Sequence, residues 1–299
     1  MTNVVRSVVL GVLGFVAAAA ATSAETLSIA TYNVGNYGPA GRMTDDGYRP
    51  AYPKPEREKR ALRQVIRALD ADVLFLQEMG PQPYLDELQR DLRDEGCIYP
   101  HAFLAEANDA ERHVAVLSKR PLSGVRTLAN LEFSYLGARS PVKRGLVVAT
   151  VRTTAGDIAL FGFHLKSRLT ERPDDPLSAH RRLQEAVAIR DEVLRRFPNP
   201  ASARFVLIGD CNDSKASKAV ERLQKRGKTV IALLLPASDP AGECWTYSYR
   251  REDSYQRVDH ILVSPALRDA IAGGGARILA GPDVAEASDH RPVVIRLNL

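Results

Sequence analysis

VLIGDCNDS, Val206 to Ser214, is the stretch on which the reading of the whole chain turns. Its apolar start suits a buried strand, and Asp210, Asn212 and Asp213 follow at once. Side chains alternate across an extended strand, so Asp210 and Asn212 are expected on one face and Cys211 on the other. Two oxygen ligands would then share one small space. Gly, Asp and Asn also end strands as ordinary turn residues, and the stretch by itself leaves both readings open.

Working outward, the same arrangement recurs. TLSIATYNV (Thr26–Val34) alternates around β-branched and aromatic residues and predicts a strand with Asn33 at its end. A polar, Pro- and Gly-rich loop is expected up to about Pro55. Ala61, Leu62, Val65, Ile66 and Leu69 then fall at helical spacing. DVLFLQEMG (Asp72–Gly80) predicts a buried strand with Glu78 just past its apolar run, and Leu85, Leu88 and Leu92 mark a second helix. HVAVLSKRPL is the next strand, RGLVVATVRT and DIALFGFHLKS form a hairpin whose second strand ends at His164, and a long helix spans about Ser178–Phe197. FVLIGD, VDHILVS and RPVVIRLNL are the last strands. Helices and strands mixed in this order predict a layered α/β sandwich.

The N-terminus carries Arg6 ahead of an apolar run from Val8 to Ala21 and a small-residue end at Thr22-Ser23-Ala24. That pattern predicts a secretory signal peptide over residues 1–24, with one domain over 25–299 and an exported, periplasmic or extracellular product. The apolar run is shorter than the roughly 20 residues a membrane-spanning helix needs, so stable membrane insertion is not expected. Lys plus Arg number 41 against 36 Asp plus Glu, a mild positive excess that permits an anionic substrate without demanding one. Cys97, Cys211 and Cys244 are too few for a disulfide framework. Nothing in the sequence indicates a protein partner.

Asn33, Glu78, His164, Asp210, Asn212, Asp259 and the Asp289-His290 pair all lie at or near strand ends. Each has an ordinary structural explanation taken singly. Together they supply hard oxygen ligands and two imidazoles, the groups that metal-assisted phosphate-ester hydrolysis uses.

The ordered set TYNVGN, LQE, HLKS, GDCND, VDHILVS and SDHRPV, spanning Thr31 to Val293, resembles the endonuclease/exonuclease/phosphatase superfamily. That superfamily includes pancreatic-type deoxyribonucleases, apurinic endonucleases, neutral sphingomyelinases and inositol polyphosphate phosphatases. The resemblance implies a four-layered α/β sandwich, with two central mostly antiparallel or mixed sheets flanked by helices, and a Mg²⁺ site at one end, with Mn²⁺ or Ca²⁺ as alternatives. It places Asn33, Glu78 and Asp289 at the metal, Glu78 being the principal ligand. It makes Asp210 and Asn212 the pair that positions the attacking water and the phosphate, His290 the imidazole against the phosphate, and Asp259 its orienting carboxylate. It also makes His164 a second phosphate-facing imidazole and gives Glu111 as its support. Cys211 stands where the family usually has an aromatic residue, and Gly35 where a charged residue is frequent; neither change removes a functional group.

YRREDSYQR brings Arg250, Arg251 and Arg257 with two tyrosines up to Asp259, and GARSPVKRG adds Arg144. These four arginines are the candidate substrate contacts, suited to phosphate clamping. The resulting expectation is an exported divalent-metal-dependent phosphodiesterase, a nuclease acting on DNA or RNA. A phosphomonoesterase or a sphingomyelinase-like lipid phosphodiesterase on the same fold is the rival, and a noncatalytic anion-binding module is the rival of another class.

Overall fold

Val206 and Ile208 face one side of the Phe205–Asp210 strand and Phe205 and Leu207 the other, and all four are fully buried. Both faces of its sheet are therefore covered. A computed structural model gives the placement of residues 25–170 and 172–299; the expected signal segment, residues 1–24, lies outside the described residues.

Two mixed sheets stack face to face. The first has seven strands, in the order Ala237–Ser238, Ala276–Ile278, Val293–Asn298, Thr26–Tyr37, Val73–Met79, His113–Ser118 and His101–Leu104. The second has six: Leu233–Leu234, Asp259–Val263, Phe205–Asp210, Ile158–His164, Leu146–Val151 and Leu122–Thr127. Among the described residues the α-helices are α1 (Glu56–Leu69), α2 (Gln82–Asp94), α3 (Ala179–Arg196), α4 (Lys218–Gln224) and α5 (Pro282–Ala287).

Three apolar cores correspond to the three gaps between four layers. Leu27, Ile29, Val73, Phe75, Val206, Ile208 and Ile261 fill the space between the sheets. Ala30, Tyr32, Leu74 and Leu76 on the outer face of the first sheet pack against α1, α2 and α5. Phe161, Phe163, Phe205 and Leu207 do the same against α3 and α4. This is the expected four-layered sandwich.

Helix α1 illustrates what holds the outer layers. Pro55 at its N-cap makes no side-chain cap bond, which forgoes about 1 kcal/mol. Leu62, Val65, Ile66 and Leu69 are all buried on one face, at about 1.5–3 kcal/mol each. Burial therefore outweighs the missing cap.

The segment expected to be an irregular loop before Pro55 is instead a hairpin, Ala40–Thr44 paired with Gly47–Tyr52. Thr44 opposes Gly47 across Asp45-Asp46, and Gly47 has a φ of 98°. Asp-Gly at a left-handed position is a turn signal that the surrounding Pro and Gly obscured. Among the described residues three further hairpins stand outside the sheets, Glu132–Tyr135 with Ala138–Pro141, Lys225–Arg226 with Thr229–Val230, and Tyr247–Tyr249 with Ser254–Gln256.

The sheets approach closely where Gly162 faces Phe75, and a Cβ at Gly162 would overlap the Phe75 ring. Gly162→Ala should destabilise the fold by about 1–3 kcal/mol through overpacking. Urea denaturation should show this loss, and Phe75→Leu in the same chain should recover part of it. An undiminished midpoint for Gly162→Ala would contradict the close packing.

Candidate active site

Strand register builds the centre of the site. His164 and Asp210 are partners across two parallel strands, and Asp210 and Asp259 are partners across the next, antiparallel pair. The three side chains thus form one row at the end of the second sheet. Each continues the alternation of residues that fill the gap between the sheets, Leu160, Ile208 and Ile261, so the row points at the first sheet.

From the facing sheet, the Asn33 amide donates to Asp210 Oδ2 at 3.0 Å. His290 enters from the connection after α5, and its Nδ1 donates to Asp259 Oδ2 at 2.8 Å. Ser288 fixes that connection: its hydroxyl donates to the Asn33 carbonyl at 2.8 Å and accepts from the His290 amide at 3.1 Å. Thr246, fully buried, accepts the backbone N–H groups of Val258 and Asp259, each at 3.0 Å. Sequence reasoning passed over Thr246 and Ser288, although Ser288 stands inside the SDHRPV motif.

Two site residues owe their aim to left-handed backbone rather than to strand alternation. The strand ends at Asp210, and Asn212 has a φ of 50°. Its amide turns back to Asp210 Oδ1 at 2.7 Å, while its side-chain amide donates to the Leu165 carbonyl at 3.0 Å. The two residues meet through a turn, which corrects the alternation argument.

Glu78 follows Leu74 and Leu76 in alternation and would point out toward the helices. A φ of 61° and register shifts against both neighbouring strands re-aim it. Glu78 Oε2 accepts the Asn36 amide at 3.1 Å, and Asn33 Oδ1 accepts the Gly35 amide at 3.1 Å.

Burial, with the charge of Asp259 next, raises Asp210 to about 7, against the opposing influence of His290 and two amide donors. Burial alone would lower His290, but the charge and hydrogen bond of Asp259 outweigh it and hold the imidazole well above its usual value. His164 moves the other way. Burial, reinforced by Arg144, His290 and Arg112, holds it well below its usual value and therefore neutral. Tyr247, whose ring lies 4.8 Å from that of His290, is pushed up to about 12 by burial and then by Asp289, Tyr249, Asp210 and Glu78.

The remaining sequence candidates divide. Arg250 and Arg251 are exposed and line a cavity of about 440 Å³ beside Asn36 and Asp289. Arg144 is buried and committed to Asp109 Oδ2 at 3.0 Å and the Leu165 carbonyl at 3.2 Å, so it acts on the site through its charge near His164. Arg257 is a correction: it donates to the Leu235 carbonyl at 2.6 Å and braces a sheet edge, being neither exposed nor part of that cavity. Glu111 is another correction. Its side chain is 74% exposed and pairs with Arg112, so it supports no imidazole. Arg112 was overlooked, and its Nε donates to Asn36 Oδ1 at 2.8 Å.

Asp210, Asp259 and His290 offer ligand atoms all within 4.8 Å of one another. His290 already supplies positive charge to that trio and spends Nδ1 on Asp259, so an oxygen-rich set suits a hard cation better. The sequence candidates Asn33, Glu78 and Asp289 are of that kind, and the amides of Gly35 and Asn36 hold Asn33 Oδ1 and Glu78 Oε2. Asp259 Oδ1 and His164 Nδ1 are buried without a hydrogen-bond partner, and His164 Nε2 lies 3.4 Å from Asp210 Oδ2 without good hydrogen-bond geometry, as in a site built to receive a ligand. The donor set fits a divalent metal.

A family model described as Endonuclease/Exonuclease/phosphatase family matches residues 30–290. No curated protein matches the chain. Among solved structures, truncated TDP2 of Caenorhabditis elegans is similar at a TM-score of 0.61 and 15% identity, covering 92% of this chain and 98% of that one. Sphingomyelinase C from Streptomyces griseocarneus is similar at 0.61 and 17%, covering 92% and 100%. A beta toxin of Staphylococcus aureus is similar at 0.63 and 16%, covering 90% and 99%. At these identities the likeness is one of fold.

Because the folded value of His290 is raised, the Asp259 pair stabilises the protein fully below the unfolded value of about 6.5 and loses that contribution as pH rises through the folded value. Asp259→Asn should bring the His290 titration, followed by NMR of the imidazole, to lower pH. Its stability deficit should be largest near pH 6 and shrink at alkaline pH. An unmoved titration would separate the two side chains.

Proposed function

The chain belongs to the endonuclease/exonuclease/phosphatase family, whose enzymes hydrolyse phosphoester bonds and generally use divalent metals, and from that premise we propose that it is an exported divalent-metal-dependent phosphodiesterase that cleaves nucleic acid. The observation that carries the reading is the row His164, Asp210 and Asp259, joined by Asn33 and His290 and balanced around one dissociable proton near neutral pH.

In this reading Asp210 accepts a proton from the attacking water, a task for which a value near 7 is well matched. The water oxygen bonds to phosphorus as the bond to the leaving oxygen breaks, and solvent protonates that oxygen. No covalent enzyme intermediate forms. Protonated His290, oriented by Asp259, donates to a phosphate oxygen where negative charge grows. Neutral His164 offers a ring N–H to the same group, and Asn212 closes the turn that keeps Asp210 aimed. A divalent cation at Asn33, Glu78 and Asp289, Mg²⁺ or alternatively Mn²⁺ or Ca²⁺, would polarise the phosphate and offset its charge.

A polymeric substrate is favoured by cationic surface in two places. One cavity, beside Asp289, carries Arg42, Arg57, Arg250 and Arg251. Another, of about 580 Å³, lies beside Lys166, two residues beyond His164, and carries Lys143, Arg172 and Arg181. A small phosphomonoester has little to offer such distant charges. Lipid phosphodiesterase activity draws support from exposed Met43 and Tyr48 on the Ala40–Tyr52 hairpin, but Asp45, Asp46 and Arg49 make that arm largely polar.

Glu78→Gln should weaken Mg²⁺ binding and nearly abolish hydrolysis with little change in melting temperature. The acid limb of kcat/KM should follow the loss of the Asp210 proton near pH 7, with activity rising as pH increases. Full activity of the wild type in chelator would sink the metal reading.

Arg250→Ala with Arg251→Ala should lower kcat/KM on DNA or RNA several-fold and flatten its salt dependence. Hydrolysis of bis-nitrophenyl phosphate should stay within a few-fold. Brisk turnover of sphingomyelin or a phosphomonoester, with every nucleic acid left intact, would assign the site to a different substrate. Amino-terminal sequencing of the chain recovered from periplasm or medium, starting near Glu25, would test export.

A further inference from the structure

Gly35 and Asn36 form a turn of two successive left-handed residues, with φ of 59° and 52°. Gly35 adopts this freely, and Asn is one of the few other residues that enters this region readily. The turn has two chemical faces. Its amides hold the oxygens of Asn33 and Glu78. Its carbonyls meet two cations: Lys54 Nζ donates to Gly35 O at 3.2 Å, and Arg42 Nη2 donates to Asn36 O at 2.7 Å.

Glu58, at the start of α1, joins those cations, with Oε2 3.2 Å from Lys54 and 3.7 Å from Arg42. Lys54 could be read as an ordinary helix-start ion pair with Glu58. Its side chain is only 2% exposed, however, and a lysine buried that far loses more hydration than a helix-surface pair returns. Burial accordingly depresses its basicity, against the opposing charge of Glu58. Arg42 comes from the first strand of the hairpin and Lys54 from just after the second, so the pair fastens the hairpin to the turn.

We propose that Lys54 and Arg42 are positioning residues: they clamp the carbonyls of the Gly35–Asn36 turn so that its amides fix Asn33 and Glu78 for a divalent cation. The proposal rests on the metal-dependent reading above. It acts through orientation, and charge alone would have the opposite sign, since a nearby ammonium repels a dication. Removing Lys54 would tighten metal binding if Coulomb repulsion dominated and weaken it if orientation did.

Lys54→Met keeps the length of the side chain and removes the donor. Calorimetric titration with Mg²⁺ should show a Kd raised 10- to 100-fold, the scale for losing an outer support of a metal ligand. Amide hydrogen exchange of metal-free protein should be at least ten-fold faster at Gly35 and Asn36. Lys59→Met is the control, a half-buried lysine on α1 whose partner is Glu87 and not the Gly35–Asn36 turn, and it should change neither quantity. If Lys54→Met does not fold, Arg42→Met removes the other donor and should change both quantities in the same direction. Where the wild type binds Mg²⁺, unchanged or tighter binding by Lys54→Met overturns the proposal. Wild-type protein that binds no Mg²⁺ overturns the metal reading instead, while faster exchange in Lys54→Met still sustains the clamp. Unaltered exchange overturns it whatever the metal does.

Discussion

The hydrogen bond from Asn33 to Asp210 ties the two sheets together where their shared core runs out. Below it, Ile29, Phe75, Val206 and Ile208 close the gap with apolar contact. At its level the Asp210 carboxylate is still fully buried. Two neighbouring buried carboxylates cannot both ionise cheaply. Asp259 spends its charge on His290, and Asp210 is left as the group that keeps or releases a proton near neutral pH. The chemistry assigned to Asp210 therefore follows from where the apolar core stops.

Precision at the mouth of the gap is built from strained backbone. Glu78, Asn212 and Asn36 all have positive φ, a conformation that costs a non-glycine residue of order 1–3 kcal/mol, and less for asparagine. In every case the turned amide or carboxylate makes a hydrogen bond to another site residue. Regular strands cannot supply this arrangement, because alternation would send Glu78 toward the helices. The strain is offset by the three apolar cores, which fix the strands on which these turns sit.

The layered architecture was legible in the sequence because it depends on short-range pattern, whereas the central row comes from register between distant strands, of which the sequence marked only the polar strand ends. Apolar runs marked the strands, and polar residues at their ends marked the site. What could not be read was direction. Arg257 stands as close in sequence to Asp259 as any candidate, yet its guanidinium goes to the Leu235 carbonyl. Glu111 lies beside a correctly expected strand, yet its carboxylate points to solvent. Lys54, in a stretch that read as loop, proved to be buried against the Gly35–Asn36 turn, since its partners Gly35 and Glu58 are brought to it by a hairpin whose Asp-Gly turn was lost among neighbouring Pro and Gly. Charge near a motif in sequence is thus a weak guide to charge facing a site.

The two site imidazoles make the point about environment most sharply. His164 and His290 are both buried and both lie near Asp210, but only His290 has a carboxylate hydrogen-bonded to its ring. Its pairing with Asp259 overcomes the cost of burying positive charge. His164 meets Arg144, His290 and Arg112, so burial and neighbouring charge act in the same direction and keep it neutral. One fold thereby presents a charged donor and a neutral donor to the same space, divided by the single strand that carries Asp210. Exchanging their roles would require moving a carboxylate, not a histidine, because the protonation state of each ring is set by its neighbours.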